Sequence, residues 1–411
     1  MNIRKTFVSI CTVLALSVFL SGCIAVPDLG DLGNNRPDFG NTGKAPVTEL
    51  PKVEYSEFCY IRNNGTMNAP QKIVYDLVYT AAMEYKTEVD ITAAHLANYS
   101  DVDELKAELS AVIHAVFSDH PEIFWYQNGF TYTYDVKTLE PSLIKMKLNC
   151  EESEISGMQQ KIDAAAKILL QEAEGLGEYE KSEFFYKEIV ENVEYVDGDN
   201  AHNIYGALVD GKAVCEGYAK AYQYLMTKSG VMTLYVHGNA TSDPKEPLEA
   251  HGWNLVKING NWYQTDCTWG DPLQKEGSEN MRTVNYSYLN VTAGDLMGTH
   301  VMDKQLFDVP VCNSIEDNFY VKNGLYFEEF DLKLVSSEIK SRLEKMNAGR
   351  ETELHIKFKK DSDAERAHAY LTEAVDGNAY FFSLAEGLPN RVNRYVVTGV
   401  SAGCFTFFIN Y

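Results

Sequence analysis

The chain has 411 residues, 45% of them hydrophobic and 12% aromatic, which is too much apolar chain for one ordinary domain and enough for two or three. Its 59 acidic residues outnumber 36 basic ones, giving a formal net charge of −23. That charge argues against a nucleic-acid partner, whose phosphates require a basic face, and describes a surface rather than a fold.

The N-terminus reads as a processing signal. Arg4 and Lys5 precede an apolar run from Phe7 to Leu20, short for a bilayer-spanning helix, and Leu20-Ser21-Gly22-Cys23 follows. This resembles a bacterial lipobox. The resemblance implies a signal peptide over 1–22, lipidation of Cys23, and an exported protein anchored to the cell membrane and facing outside the cytoplasm. An anionic body would be held there by lipid, not by charge. Residues 24–52 are rich in Gly, Asn, Asp and Pro, so 23–54 is expected to be a lipidated flexible tether.

A first α+β domain is expected over 55–150. Ala69-Pro70 opens a helical pattern through Ile73, Leu77, Tyr79, Ala81 and Tyr85, and Asp101 to Phe117 reads as a second helix. Phe130 to Val136 and Leu143 to Leu148 alternate as a hairpin does. His114 and His120 have no partner at ligand spacing and read as structural. A second domain is expected over 151–315, with helices from Ser156 to Glu174 and from Glu178 to Glu194, then a helix starting near Cys215 and stopping at Gly230. A last small α+β domain is expected over 316–411: a hairpin from Tyr320 to Phe327 turning at Asn323-Gly324, a helix from Ser336 to Met346, a strand from Leu354 to Phe358, a helix from Asp361 to Ala374, and strands in the tail.

Eight cysteines are present: Cys11 in the leader, Cys23, and Cys59, Cys150, Cys215, Cys267, Cys312 and Cys404. Their spacing is wide and no CxxC pair occurs, so neither a tight disulfide framework nor a zinc site is indicated. Mostly reduced, buried thiols are expected.

The chemistry concentrates between Gly211 and Asp271. Cys215 stands at the mouth of a helix, where unsatisfied N–H groups and the dipole favour a thiolate and could stabilise an oxyanion. Gly211 would let a substrate backbone approach. His251 to Ile258 and Asn261 to Thr268 flank Asn259-Gly260. A two-residue turn there pairs Ile258 with Asn261 and, counted outward, Trp253 with Asp266, so His251 and Asp266 share a face as diagonal neighbours. A slip of one residue would separate them. Cys267 should point away, which leaves a metal site of Cys215, His251 and Cys267 disfavoured.

VCEGYAKAYQYL, HGWNLVKINGNWYQTDCTWGDP, and then Tyr288-Leu289-Asn290-Val291-Thr292 and His300, resemble the bacterial transglutaminase-like core of the papain-like thiol superfamily, over roughly Ser182 to Asp303. The resemblance implies an α+β fold in which the cysteine helix packs on an antiparallel sheet. It implies Cys215 as nucleophile, His251 as general base and acid, and Asp266 as the carboxylate that orients it, with no metal and no cofactor. Cys267 replaces a more usual apolar residue. Trp253 and Trp269 are expected to pack beside the site. Asn203 and Tyr205 fit an oxyanion hole or packing equally well, and His202, His237 and His300 have no required role. The function expected is acyl transfer or hydrolysis at amide bonds of proteins or peptides, including cell-envelope components. The competing expectation is a non-catalytic surface adhesion or scaffold module on the same fold.

Overall fold

The structure is a computed structural model that describes residues 67–241, 246–271, 284–323, 325–375, 378–398 and 403–411. The leader, Cys23, the tether and Cys59 lie outside the described residues, as does Gly324. Among the described residues no helix is long and apolar enough to cross a membrane.

Helix α1 (Ala69–Met83) begins where the Asn68 side chain accepts the Gln71 N–H and the Gln71 side chain accepts the Asn68 N–H, with Pro70 in the first turn. It buries Val74, Tyr75, Val78, Ala81 and Ala82. Ile73 is exposed, so the apolar stripe is rotated by one residue from the one expected. Strand β1 (Glu88–Asp90) and helix α2 (Val102–Asp119) follow, the latter capped by Asp101. Strands β2 (Tyr126–Tyr134) and β3 (Pro141–Leu148) form the expected hairpin, and β1 adds to it antiparallel in the order β1-β3-β2. His120 is structural as expected: its ring lies 2.9 Å from the Tyr75 hydroxyl and stacks on Tyr79.

Helix α3 (Glu152–Glu172) starts earlier than its apolar pattern suggests because Glu151 and Glu154 cap it reciprocally. Helix α4 (Glu178–Asn192) leads to a short parallel pair, β4 (Glu194–Tyr195) and β5 (Lys212–Ala213). The central helix α5 (Cys215–Lys228) is buried on every side from Cys215 to Thr227. Its polar residues Glu216, Lys220, Gln223 and Thr227 repeat at helical spacing on one stripe, and that stripe meets the N-terminal elements. Gln223 donates to the Ser118 carbonyl at 2.8 Å, and Asn128 on β2 donates to Glu216 at 2.6 Å. Tyr218 and Tyr222, four apart on another face, reach the Val193 carbonyl and Ser182 respectively.

Strands β6 (Thr233–Ala240), β7 (Glu249–Ile258), β8 (Asn261–Thr265) and β9 (His300–Met302) make an antiparallel sheet in the order β8-β7-β6-β9. Helix α5 packs on it, with Asn254 of β7 donating to the Ala219 carbonyl at 3.0 Å. Strand β8 ends at Thr265, three residues before the expected limit. Asp266 leaves the ladder and caps a one-turn helix, α6 (Cys267–Gly270), by accepting the Thr268 and Trp269 N–H groups.

The last region holds a correction. Tyr320 to Phe327 is not a hairpin. Asn318 caps a short helix, α7 (Phe319–Lys322), and β10 (Tyr326–Phe327) then pairs parallel with β11 (Glu353–Phe358). Between and beyond them run α8 (Leu332–Gly349), α9 (Asp361–Thr372), β12 (Ala374–Val375), β13 (Asn378–Ala379), α10 (Tyr380–Leu384), β14 (Arg394–Val397) and β15 (Cys404–Asn410). The sheet order is β10-β11-β15-β14. One apolar cluster runs through the chain from Met67 to Tyr320 and takes in Cys404, and a second runs from Leu325 to Ile409.

Candidate active site

The β7–β8 hairpin turns at Asn259-Gly260 with both residues at positive φ, +50° and +89°, as a tight two-residue turn demands. Ile258 pairs with Asn261 and the ladder holds to Asn254 opposite Thr265. The ladder ends there, and Asp266, the next residue, lies within reach of His251. His251 Nε2 lies 2.8 Å from Asp266 Oδ2, with both side chains buried. Cys215, at the start of α5, is among the groups that act on the His251 imidazole. Since Nε2 serves Asp266, Nδ1 is the ring nitrogen left for the thiol. The three residues singled out in the sequence therefore lie at one site: imidazole bonded to carboxylate, with the thiol acting on the imidazole.

The electrostatics follow from that order. Burial would hold His251 neutral, but the Asp266 charge and hydrogen bond, and then Cys215, outweigh it and the imidazole is pushed up to about 10. Burial would likewise raise Asp266, yet His251 and the hydrogen bonds from His251 and His300 hold its carboxyl well below the usual range. The result is an anion that keeps the imidazole charged and oriented. At the thiol end, the first intrahelical bond of α5 runs from the Tyr218 N–H to Val214. The N–H groups of Cys215, Glu216 and Gly217 thus have no acceptor within the helix and are available to a developing oxyanion. Gly217 is required there, because a Cβ would collide with the Ala201 carbonyl and Ala213.

The flanking residues divide clearly. Trp253 lies nearly parallel to the His251 ring at 5.9 Å and donates to Gln264 at 2.8 Å, while Trp269 lies 5.8 Å from His251. Both pack beside the site. Cys267 faces burial rather than the histidine, which pushes its thiol well above the ordinary value. Tyr205 stacks on Phe124, and the Asn203 side-chain oxygen accepts the Tyr205 N–H at 2.8 Å, so both build the turn before the site. Gly211 has φ +66° and closes that turn, which accounts for the glycine without a substrate. His237 packs edge-on to His114 at 5.7 Å.

His300 is the residue that the sequence reasoning passed over. Its Nε2 lies 3.0 Å from Asp266 Oδ2, the same oxygen that holds His251. No spacing rule links Asp266 to a residue across an edge strand, although His300 belongs to the segment whose likeness to known sequences was already visible. His251, Asp266 and His300 hold ligand-type atoms within 4.8 Å of one another. Both ring nitrogens sit at hydrogen-bonding distance from one ionised oxygen, so each carries a proton that an incoming cation would have to displace.

Behind the site, Ser182 of α4 bonds Tyr222 of α5 at 2.7 Å and Asn290 at 2.9 Å, and Thr265 of β8 bonds the same Asn290 oxygen at 3.2 Å. Asn290 sits at φ +52°, a conformation that asparagine tolerates well. This knot ties the cysteine helix to the hairpin.

Residues 166–267 match the family model described as the transglutaminase-like superfamily. No curated protein matches the sequence. Among solved structures, the chain is similar to a presumed cysteine protease from Cytophaga hutchinsonii (18% identity, 31% of this chain and 51% of that one, TM-score 0.23). It is also similar to a protein described as a TGase (11% identity, 46% and 55%, TM-score 0.25). A third is the periplasmic domain of TgpA from Pseudomonas aeruginosa (15% identity, 32% and 56%, TM-score 0.20). The chain spans about half the length of each of these three.

Proposed function

Because this chain carries a transglutaminase-like domain, we propose that it is a thiol enzyme acting on amide bonds of proteins or peptides through a cysteinyl acyl-enzyme. The observation that carries the reading is the buried His251–Asp266 pair at 2.8 Å, with Cys215 at the start of α5 acting on the same imidazole. With the proton already on His251, the Cys215 thiolate sulfur attacks the amide carbon. The oxyanion meets the N-terminal N–H groups of α5. The C–N bond breaks as His251 returns the proton to the departing amine. An amine or water then adds to the thioester, gives its proton to His251, and the thiol leaves with that proton. Amine gives transglutamination, and water gives hydrolysis. The leader and Cys23 support an exported, lipid-anchored protein, with cell-envelope proteins or peptides as substrates.

Wild-type and Cys215→Ala proteins incubated with cell-envelope proteins and peptidoglycan peptides, and read by mass spectrometry, test this. New isopeptide links select transfer, and deamidated glutamines or cut peptides select hydrolysis. All should vanish in Cys215→Ala, and Asp266→Asn should slow them at least ~100-fold by disturbing the imidazole tautomer. Identical products from Cys215→Ala, or none from either protein, would leave the surface scaffold as the better reading.

A further inference from the structure

Asp266 accepts four hydrogen bonds. Oδ1 takes the Thr268 and Trp269 N–H groups at 2.9 and 3.2 Å, and Oδ2 takes His251 and His300 at 2.8 and 3.0 Å. An ionised carboxylate offers about four acceptor positions, so this one is full. The second imidazole is not a loose neighbour. The His300 side chain is 1% exposed, its Nδ1 lies 3.0 Å from the Thr299 hydroxyl, and its ring is held between Trp253 at 5.2 Å and Trp269 at 4.5 Å. It cannot swing off Asp266 without repacking both indoles.

We infer that His300 is a positioning residue for chemistry at Cys215: by donating the second N–H to Asp266 Oδ2 it fixes the carboxylate and divides its accepting capacity, so that His251 releases its proton more readily than a histidine with sole use of that oxygen. The inference rests on the acyl-transfer reading above. Two donors on one oxygen weaken each other, because each draws on the same electron density. A carboxylate serving His251 alone would bind the imidazolium more tightly, and a base that holds its proton too firmly makes a poor acid for the departing amine. Among the described residues, the titratable groups that face His251 are Cys215 from α5, Asp266 from the cap of α6 and His300 from β9. The Asp266 charge also reaches Cys267, Tyr186 and Tyr288. No second carboxylate among them could take over the role.

The test needs no substrate. The rate of Cys215 alkylation by iodoacetamide is followed by mass spectrometry from about pH 5 to pH 11 in wild type, His251→Ala, His300→Leu and His300→Gln. Wild type should show the thiol's own inflection and, besides it, one belonging to His251 that His251→Ala lacks. His300→Leu should move that inflection upward by about one pH unit, the size expected for losing one hydrogen bond to a charged group. His300→Gln, whose amide N–H reaches the same oxygen, should stay with wild type. A leucine profile that overlays wild type, or a glutamine profile displaced as far as leucine, overturns the role. If wild type and His251→Ala titrate alike, the thiol–imidazole reading itself falls, which is a different failure. Should the leucine variant not fold, proton NMR of wild type decides: two strongly deshielded imidazole N–H signals, both lost in Asp266→Asn, are expected, and a single signal overturns the proposal.

Discussion

Five free cysteines are described, and their surroundings differ more than their shared chemistry suggests. Burial pushes the Cys267 thiol far up and the Cys312 thiol to about 12, and burial with Glu154 and Glu151 nearby also raises Cys150. Cys215 alone has an imidazole against it and helix N–H groups at its back. Limiting iodoacetamide at neutral pH should therefore label Cys215 before Cys150, Cys267 or Cys312, although Cys150 is the more exposed. Peptide mapping after brief labelling checks this, and Cys150 labelled first would count against an activated Cys215. At this scale the sequence told most. The Asn259-Gly260 turn set a register that could be counted by hand, and a one-residue error would have lost the histidine. His300 was out of reach of counting, because its partner lies 34 residues away across a sheet.

Helix α5 shows what a buried charged stripe does for an element. The Glu216 carboxylate accepts from Asn128 at 2.6 Å and sits 3.1 Å from His202 and 2.8 Å from the Lys220 ammonium. Burial would raise its pKa, but Lys220 and His202 hold it well below the usual carboxylate range. Its contribution to stability is therefore present above the unfolded value near 4.5 and fades as pH falls below it. His202 runs the opposite way. Its hydrogen bond to Glu216 raises it against burial, so its contribution is complete below about 6.5 and is lost as pH climbs through the raised value. Glu216→Gln should destabilise the protein by roughly 3 kcal/mol, since it strands the buried Lys220 ammonium. Thermal melts from pH 5 to 9 should show the loss largest below about 6.5, where the His202 contribution is complete, and smaller at the alkaline end. A melt indistinguishable from wild type would show the cluster to be inert. Helix α5 itself could be read from its periodicity, whereas its polar stripe could not be told from a solvated face, because the surface that covers it comes from residues about ninety positions earlier.

For the whole molecule, the two apolar clusters set the terms. The C-terminal cluster holds Phe405 and Phe407 at its centre and contains none of the residues at the Cys215 site. Where the two clusters meet, His355 lies edge-on to Tyr286 and Phe319 of the first, and the buried Lys357 pairs with Asp295 at 3.6 Å. Phe405→Ala should cost about 3–5 kcal/mol in denaturant unfolding of that cluster while leaving the Cys215 alkylation rate at neutral pH unchanged. A parallel fall in that rate would mean that the two cores do not act separately. This arrangement was the least visible in advance. The expected hairpin at Tyr320 to Phe327 obeyed every local rule for an Asn-Gly turn. It lost to the Asn318 cap and to a parallel partner thirty residues on, and parallel pairing leaves no nearby signature.

The strand that carries His300 is three residues long and is paired, on one side only, with Gly238, Asn239 and Ala240. Its length suits the rim of a sheet, offering little template to another chain. It also means that the second donor to Asp266 hangs on the shallowest ladder in that sheet. What holds that donor in place is therefore less the ladder than the two indoles around its ring and the Thr299 hydroxyl at its other nitrogen. The acid–base character of the site thus depends on side-chain packing at the rim more than on the strand that delivers the histidine.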